Sequence, residues 1–132
     1  MPVRGIRGAT TVEENSRDSI LAGTRELLIA LQDANNFEPK DIVCIFFSIT
    51  SDLDAAFPAE AARQLGWNEV PLFGMQEADV IKSLKKCIRV LVQLNSGKSQ
   101  TDFQHCYLNN AKTLRKDLTY KDKEERKDKK WC

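Results

Sequence analysis

The chain has 132 residues, of which 42% are hydrophobic and 30% are charged, and its formal net charge is +1. This length suits one domain with a single hydrophobic core, and the near-neutral charge provides no bulk attraction to nucleic acid or to anionic membranes. No apolar run approaches the roughly 18 residues that span a bilayer, and the N-terminal residues lack the apolar core of a signal peptide. We therefore expect a cytoplasmic protein.

The N-terminal part of the chain predicts a strand followed by a helix. Val3 to Val12 is rich in β-branched residues, and its glycines Gly5 and Gly8 indicate that another part of the protein approaches this strand closely. Asn15 or Ser16 can cap the helix that follows, and two asparagines at 35–36 end it. One apolar stripe recurs along this helix at Ile20, Leu21, Thr24, Leu27, Leu28 and Leu31.

The rest of the folded region predicts short strands and a second helix. Pro58 can occupy the first turn of a helix over Pro58 to Leu65, which Gly66 stops. The predicted strands are Ile42 to Thr50, Val70 to Phe73, Lys86 to Leu94 and Phe103 to Leu108. The first of these is apolar on both faces, which is typical of a central strand. This order predicts an α+β domain with a mixed sheet and two helices over residues 1–118, followed by a charged, flexible tail over residues 119–132.

Several common kinds of site lack the residues they need. His105 is the only histidine and lies in a strand-like stretch, so we expect it to be structural and predict no Ser-His-Asp or Cys-His catalytic device. The four cysteines form no C-x-x-C pair, so no metal site is predicted. Phosphate-binding glycine loops are missing, and no basic patch with interleaved aromatics lies outside the tail.

The arginines have an unusual distribution. Arg7 and Arg89 are each embedded in a predicted strand, Arg63 lies on the second helix, and Arg115 follows Leu114 near the end of the folded region. A guanidinium inside an apolar strand is costly to desolvate unless an anionic group meets it. Two interpretations remain open at this point: a half-exposed sheet face with an ordinary salt bridge, or a site for a small polyanion, to which arginine offers bidentate donors.

Several short blocks share the order and spacing of one enzyme family. They are VRGIRGATTVE at 3–13, DAAFPA at 54–59 followed by an arginine at 63, VPL at 70–72, MQE at 75–77, KKCIRV at 85–90, HCYL at 105–108 and LR at 114–115. Together they resemble the monofunctional chorismate mutases of the Bacillus type, the AroH class, over about residues 3 to 118. The resemblance implies a homotrimeric pseudo-α/β-barrel with active sites between neighbouring subunits.

The resemblance also implies the reaction, an intramolecular Claisen rearrangement of chorismate to prephenate in phenylalanine and tyrosine biosynthesis. Such a pericyclic step needs no nucleophile and no cofactor, and none is expected here. By the resemblance, Arg89 would hydrogen-bond the ether oxygen of the breaking bond, and Glu77 would accept a hydrogen bond from the ring hydroxyl. Arg7 and Tyr107 would hold the side-chain carboxylate.

Further substrate contacts are implied by the same resemblance. They involve Phe57, Ala59, Arg63, Phe73, Gly74, Met75, Gln76, Leu114 and Arg115. The first three would come from the adjacent subunit, and the last two would close the entrance. Two positions depart from the family pattern, because Gly74 stands where a cysteine is familiar and Glu60 stands where a lysine is familiar. We expect the change at Gly74 to affect substrate affinity and the one at Glu60 to weaken electrostatic steering.

Two alternatives remain open beside the enzyme. One is a non-catalytic trimer on the same fold that binds small carboxylates or regulates, and the other is a different enzyme on a similar trimeric fold, such as an imine deaminase with an arginine at its subunit cleft. Glu77 and Arg89 together favour the mutase, because a cleft that merely binds carboxylates does not require both.

Overall fold

The computed structural model describes residues 1–114, which form a sheet of five strands with two α-helices. The elements are β1 (Val3–Thr11), α1 (Arg17–Asn35), β2 (Ile42–Ile49), α2 (Ala59–Gln64), β3 (Leu72–Gln76), β4 (Cys87–Asn95) and β5 (Cys106–Tyr107), with short 3-10 turns at Pro39–Asp41, Gln100–Asp102 and Asn109–Thr113. The predicted tail at 119–132 and the site residue Arg115 lie outside the described residues. Within residues 1–114, no helix combines the length and apolarity needed to cross a membrane.

The sheet has the strand order β3-β2-β4-β1-β5. β2 pairs with β3 and β1 pairs with β5 in parallel, whereas β4 is antiparallel to both β2 and β1. The predicted mixed sheet and α+β class are therefore confirmed. β2 has a neighbour on each side, as predicted for an interior strand.

The long helix α1 begins and ends where its sequence predicts. The Ser16 side chain accepts a hydrogen bond from the Ser19 backbone N–H at 3.2 Å, which satisfies one of the free amides of the first turn. Asn36 has a φ of 52° and closes the helix with a hydrogen bond from its N–H to the Gln32 carbonyl. Every residue of the predicted apolar stripe is buried against the sheet.

Alternation along the central strands separates a helix face from a second, open face. Ile6 and Gly8 of β1 point toward α1, and a Cβ added at Gly8 would lie 2.9 Å from Cδ1 of Leu31. Only glycine permits this close approach, as predicted for Gly8. The same prediction is wrong for Gly5, because a Cβ there would make an ordinary contact of 3.5 Å with Leu91.

Two strand ends differ from the sequence prediction. β3 begins later and runs to Gln76, because its parallel pairing with β2 extends from Ile45 opposite Leu72 to Ile49 opposite Gln76. β5 contains only two residues instead of the predicted stretch from Phe103 to Leu108. Before β5 the chain is held by a side chain and not by a ladder, since Asn35 accepts from the Gln104 N–H at 2.8 Å and donates to its carbonyl at 3.0 Å.

Candidate active site

Strand register places the embedded arginines on the sheet face opposite α1. Arg89 of β4 lies opposite Ala9 of β1 and opposite Ser48 of β2, and Arg7 lies opposite Leu91. Residues opposite each other on adjacent strands share a face of the sheet. Arg7 and Arg89 are therefore diagonal neighbours, with Cβ atoms about 7 Å apart. Two cations at this distance favour an anion between them.

This open face carries a cavity of about 530 Å³. Its lining residues are Arg7, Gly8, Ala9, Phe46, Phe47, Ser48, Met75, Arg89, Val90, Leu91, Tyr107 and Leu114. The volume suits a small molecule, and a mainly apolar lining with a few convergent polar groups is typical of a ligand site. The half-buried Leu114 packs with Ala9 and Tyr107 in an apolar cluster at one end of the cavity.

Glu77 forms the main electrostatic contact of Arg89. Its Oε2 lies 3.1 Å from Nε of Arg89, and the two side chains are 27% and 41% exposed. The contact lacks hydrogen-bond geometry at Nε, so it is an ion pair, and Nε itself has no hydrogen-bond partner within residues 1–114. Glu77 does not line the cavity itself, but it touches two residues that do, Arg89 and Ser48.

The backbone around Glu77 is fixed by hydrogen bonds to the neighbouring segments. The Glu77 N–H donates to the Ile49 carbonyl at 2.8 Å.

Asp52 holds the segment that leads into β4. Both of its carboxylate oxygens accept from the Lys86 N–H, at 2.9 and 3.2 Å, and Oδ1 also accepts from the Thr50 hydroxyl at 2.5 Å. Burial raises the pKa of Asp52, but these hydrogen bonds outweigh it and hold the pKa below its ordinary value. Asp52 thus fixes the start of β4, two residues before Arg89.

Cys87 is fully buried on the same face as Arg89. Burial raises the pKa of the Cys87 thiol, and the nearby Arg89 guanidinium opposes this shift only in part. Cys87 is consequently a neutral thiol that interacts with the neighbouring Arg89 guanidinium.

Not all of the predicted site residues meet at this cavity. Five of them line the cavity: Arg7, Arg89, Tyr107, Met75 and Leu114. Glu77 lies outside the lining and contacts Arg89.

Other predicted site residues lie on the edge strand β3 itself or beyond it. Phe57, Gly74 and Gln76 line a separate groove, and Phe57 is 74% exposed. Phe73 is 61% exposed and packs edge-on against Phe46, which does line the cavity. Residues on α2 are the remaining case: Ala59 packs against the core and Arg63 is exposed.

Glu60, the departure on α2, has a charge partner in this chain. Its Oε2 lies 2.7 Å from Arg17 Nη2 at the start of α1. The hydrogen bond from Arg17 lowers the pKa of the Glu60 carboxyl, so Glu60 is an anion matched by a cation. The charges of Glu60 and Arg17 therefore offset each other locally, and weaker electrostatic steering at this position stays a prediction.

Ser48 is a residue of this face that the sequence interpretation missed. The sequence predicts an apolar strand over this stretch, yet Ser48 places a hydroxyl between Phe47 and Ile49, and this hydroxyl contacts Glu77. A lone polar residue in such a run is the signal that could have found it, because one face of β2 borders the cavity and is only half-buried. His105 instead accepts a hydrogen bond from the Arg7 backbone N–H at 2.9 Å, in agreement with the structural role predicted for it.

Among residues 1–114, no group of three or more His, Cys, Asp or Glu side chains could hold a metal ion.

Comparison with known proteins gives one consistent family. Residues 3–118 match the family model for chorismate mutase type I. Chorismate mutase AroH of Bacillus subtilis is 46% identical over 120 residues, covering 90% of this chain and 94% of that protein. Chorismate mutase AroH of Thermus thermophilus is 46% identical over 117 residues, covering 88% and 96%. The solved chorismate mutase from Clostridium thermocellum superposes with a TM-score of 0.82 at 51% identity, covering 83% of this chain and 98% of that chain.

Proposed function

The chain belongs to the type I chorismate mutases and is an isomerase that converts chorismate to prephenate, and we propose that Arg89, Arg7 and Glu77 are the residues that accelerate this step. This reaction belongs to the biosynthesis of phenylalanine and tyrosine. The observation that carries the assignment of residues is the Arg89–Glu77 ion pair at the border of an apolar cavity that Arg7 and Tyr107 also line.

Arg89 acts on the bond that breaks. In the rearrangement the C–O bond breaks ahead of C–C bond formation, so negative charge develops on the ether oxygen in the transition state. A cation fixed beside that oxygen stabilises the transition state more than the substrate, which lowers the barrier. Glu77 holds the guanidinium from its Nε side, which leaves the Nη groups for the ether oxygen. The apolar side chains of Phe46, Leu91 and Met75 lower the dielectric and strengthen the interaction.

Arg7 and Tyr107 act on the shape of the substrate. Chorismate reacts only when its enolpyruvyl arm is folded over the ring, and free chorismate loses freedom on adopting that shape. A guanidinium and a phenol that clamp the arm's carboxylate remove this entropic cost before the reaction. Glu77 retains acceptor capacity for the ring hydroxyl and so fixes the other end of the molecule. The side chains of this site supply a clamp and a cation, which is all that a pericyclic step requires.

We further propose that the chain assembles as a homotrimer in which one subunit's groove meets the next subunit's cavity. The open edge of β3 and the exposed Phe57, Phe73 and Met75 support this, because unpaired strand edges and apolar patches are usually covered. The division of the predicted site residues between a cavity and a separate groove also favours a shared site. Arg63 would then reach substrate from the neighbouring subunit.

Turnover of chorismate tests the function directly. Purified protein is mixed with chorismate, and the loss of its diene absorbance is followed. We expect a rate far above the uncatalysed rearrangement, and prephenate as the product. A protein that bound chorismate without accelerating its loss would be the non-catalytic alternative, and the proposal would fail.

Complementation tests the shared site. Arg89→Ala and Arg63→Ala chains are each expected to be inactive alone. Coexpression should restore about a quarter of the sites, because about one site in four combines the intact Arg89 of one chain with the intact Arg63 of its neighbour. The matched control is Arg89→Ala with Arg7→Ala, since both residues line the cavity of one chain and no mixed site escapes both changes. Equal results from the two mixtures would contradict the shared site, as would an active monomer by mass measurement.

A further inference from the structure

We infer that Ser48 is a positioning residue that orients the Glu77 carboxylate for the ligand's hydroxyl. This inference rests on the proposed function of Glu77 and adds a residue to it. The Ser48 hydroxyl donates to Oε2 of Glu77 at 3.0 Å. The two residues are 29 positions apart in sequence and meet because β2 and β3 pair in parallel at Ile49 and Gln76.

The contacts of Glu77 show what the hydroxyl adds. A carboxylate has about four acceptor positions, two on each oxygen. Oε2 accepts from Ser48 and also faces Nε of Arg89 at 3.1 Å, whereas Oε1 accepts from the Ala78 N–H at 3.0 Å. Oε1 therefore keeps one position for a ligand's hydroxyl. The Ala78 contact is local and turns with the end of β3. Among residues 1–114, Ser48 is therefore the hydrogen-bond donor that ties this carboxylate to a different strand.

Ser48 also limits how freely the Glu77 carboxylate can move. Without its hydroxyl, Glu77 is held on the strand side only by its attraction to Arg89, and a long side chain in a partly exposed site gains several rotamers. The carboxylate then reaches the geometry that accepts the ring hydroxyl for a smaller fraction of the time. Because the ring hydroxyl is bound in both substrate and transition state, the loss should raise KM and leave kcat nearly unchanged.

Steady-state kinetics with chorismate tests this role. Ser48→Ala should lower kcat/KM by about tenfold, mostly through KM, as expected for loss of a hydrogen bond to a charged group. Ser48→Thr keeps the donor and has the cavity beside it for the added methyl, so it should recover to within about threefold of the parent. The matched control is Ser83→Ala, an exposed serine whose hydroxyl makes no hydrogen bond within residues 1–114, and it should change kcat/KM by less than about twofold.

A second background shows whether the effect passes through Glu77. In Glu77→Asp the carboxylate is one methylene shorter and cannot reach Ser48, so adding Ser48→Ala should cost less than about twofold. The same tenfold loss in both backgrounds would mean that Ser48 touches the substrate directly, and the inference would be wrong. It would equally be overturned by a Ser48→Ala variant with parental kinetics, by a loss confined to kcat, or by a threonine variant as impaired as the alanine one.

Failure of this inference is distinguishable from failure of the proposed function. If the parent chain does not turn over chorismate, the proposed function fails and with it the inference. If the parent is active and Ser48→Ala matches it, only the role of Ser48 is refuted.

Discussion

Substituting lysine for Arg89 tests the central electrostatic argument. The change keeps a positive charge but replaces a planar fork of five N–H donors by a single ammonium. Nε of Arg89 lies 3.1 Å from Glu77 Oε2, and in the proposed mechanism the Nη groups donate to the ether oxygen. A lysine ammonium cannot serve both, and Glu77 is its nearest anion. The substitution therefore removes the preorganised cation from the breaking bond.

The expected loss follows from what one such donor is worth. Removing a preorganised donor to a developing oxyanion costs about 2.7–4 kcal/mol, so kcat for Arg89→Lys should fall by about 10² to 10³. Arg89→Ala should lose at least as much and also bind substrate more weakly. The assay is loss of diene absorbance at saturating chorismate, with thermal unfolding and mass in solution measured alongside.

Arg4→Lys is the matched control for this substitution. Arg4 belongs to the same sheet, but it donates to the Lys98 carbonyl at 2.8 Å and does not line the cavity. It should retain kcat within about twofold. If Arg89→Lys kept kcat within about threefold of the parent, or changed only by a rise in KM, differential stabilisation of the transition state by Arg89 would be refuted.

Three further predictions concern packing, the open groove and acid stability. Gly8→Ala should lower the free energy of unfolding by about 1–3 kcal/mol, because the added Cβ would lie 2.9 Å from a Leu31 methyl. Gly5→Ala should change it by less than about 0.5 kcal/mol. Equal effects of the two substitutions in denaturant melts would contradict the close approach at Gly8. Gly74→Ser should fold normally, because a Cβ added at Gly74 would have no atom of residues 1–114 within 4 Å apart from its chain neighbours. If the groove meets substrate, Gly74→Ser should have a lower KM than Gly74→Ala, and identical KM values would place position 74 outside the site. Asp52 has its pKa lowered in the folded protein, so its stabilisation is complete above the ordinary value of 3.8 and is lost as pH falls through the folded-state pKa. Asp52→Asn should therefore lose less stability than the parent on acidification below that value, and parallel curves would show that the hydrogen bonds of Asp52 do not depend on its charge.

The sequence predicted the elements whose signals are local. The α1 stripe, the Ser16 cap and the Asn36 end all follow from residues within a few turns of each other, and all are confirmed. The ends of β3 and β5 were predicted less accurately. Backbone pairing of β3 with β2 and of β5 with β1 sets these ends, whereas the side-chain pattern of the two strands does not. The residue types of the site were also visible in sequence, because an arginine within an apolar strand is unusual.

The sequence by itself therefore determined the family, the helix and the set of charged residues, since each follows from composition, periodicity or motif. What only the tertiary structure decided is which of them meet. Side chains alternate along a strand, so a slip of one residue between β4 and its neighbours would turn Arg89 toward α1. The register is fixed by contacts far apart in sequence, among them Gly8 against Leu31. That register places Ser48 and Arg89 side by side at Glu77, an arrangement that no local pattern records.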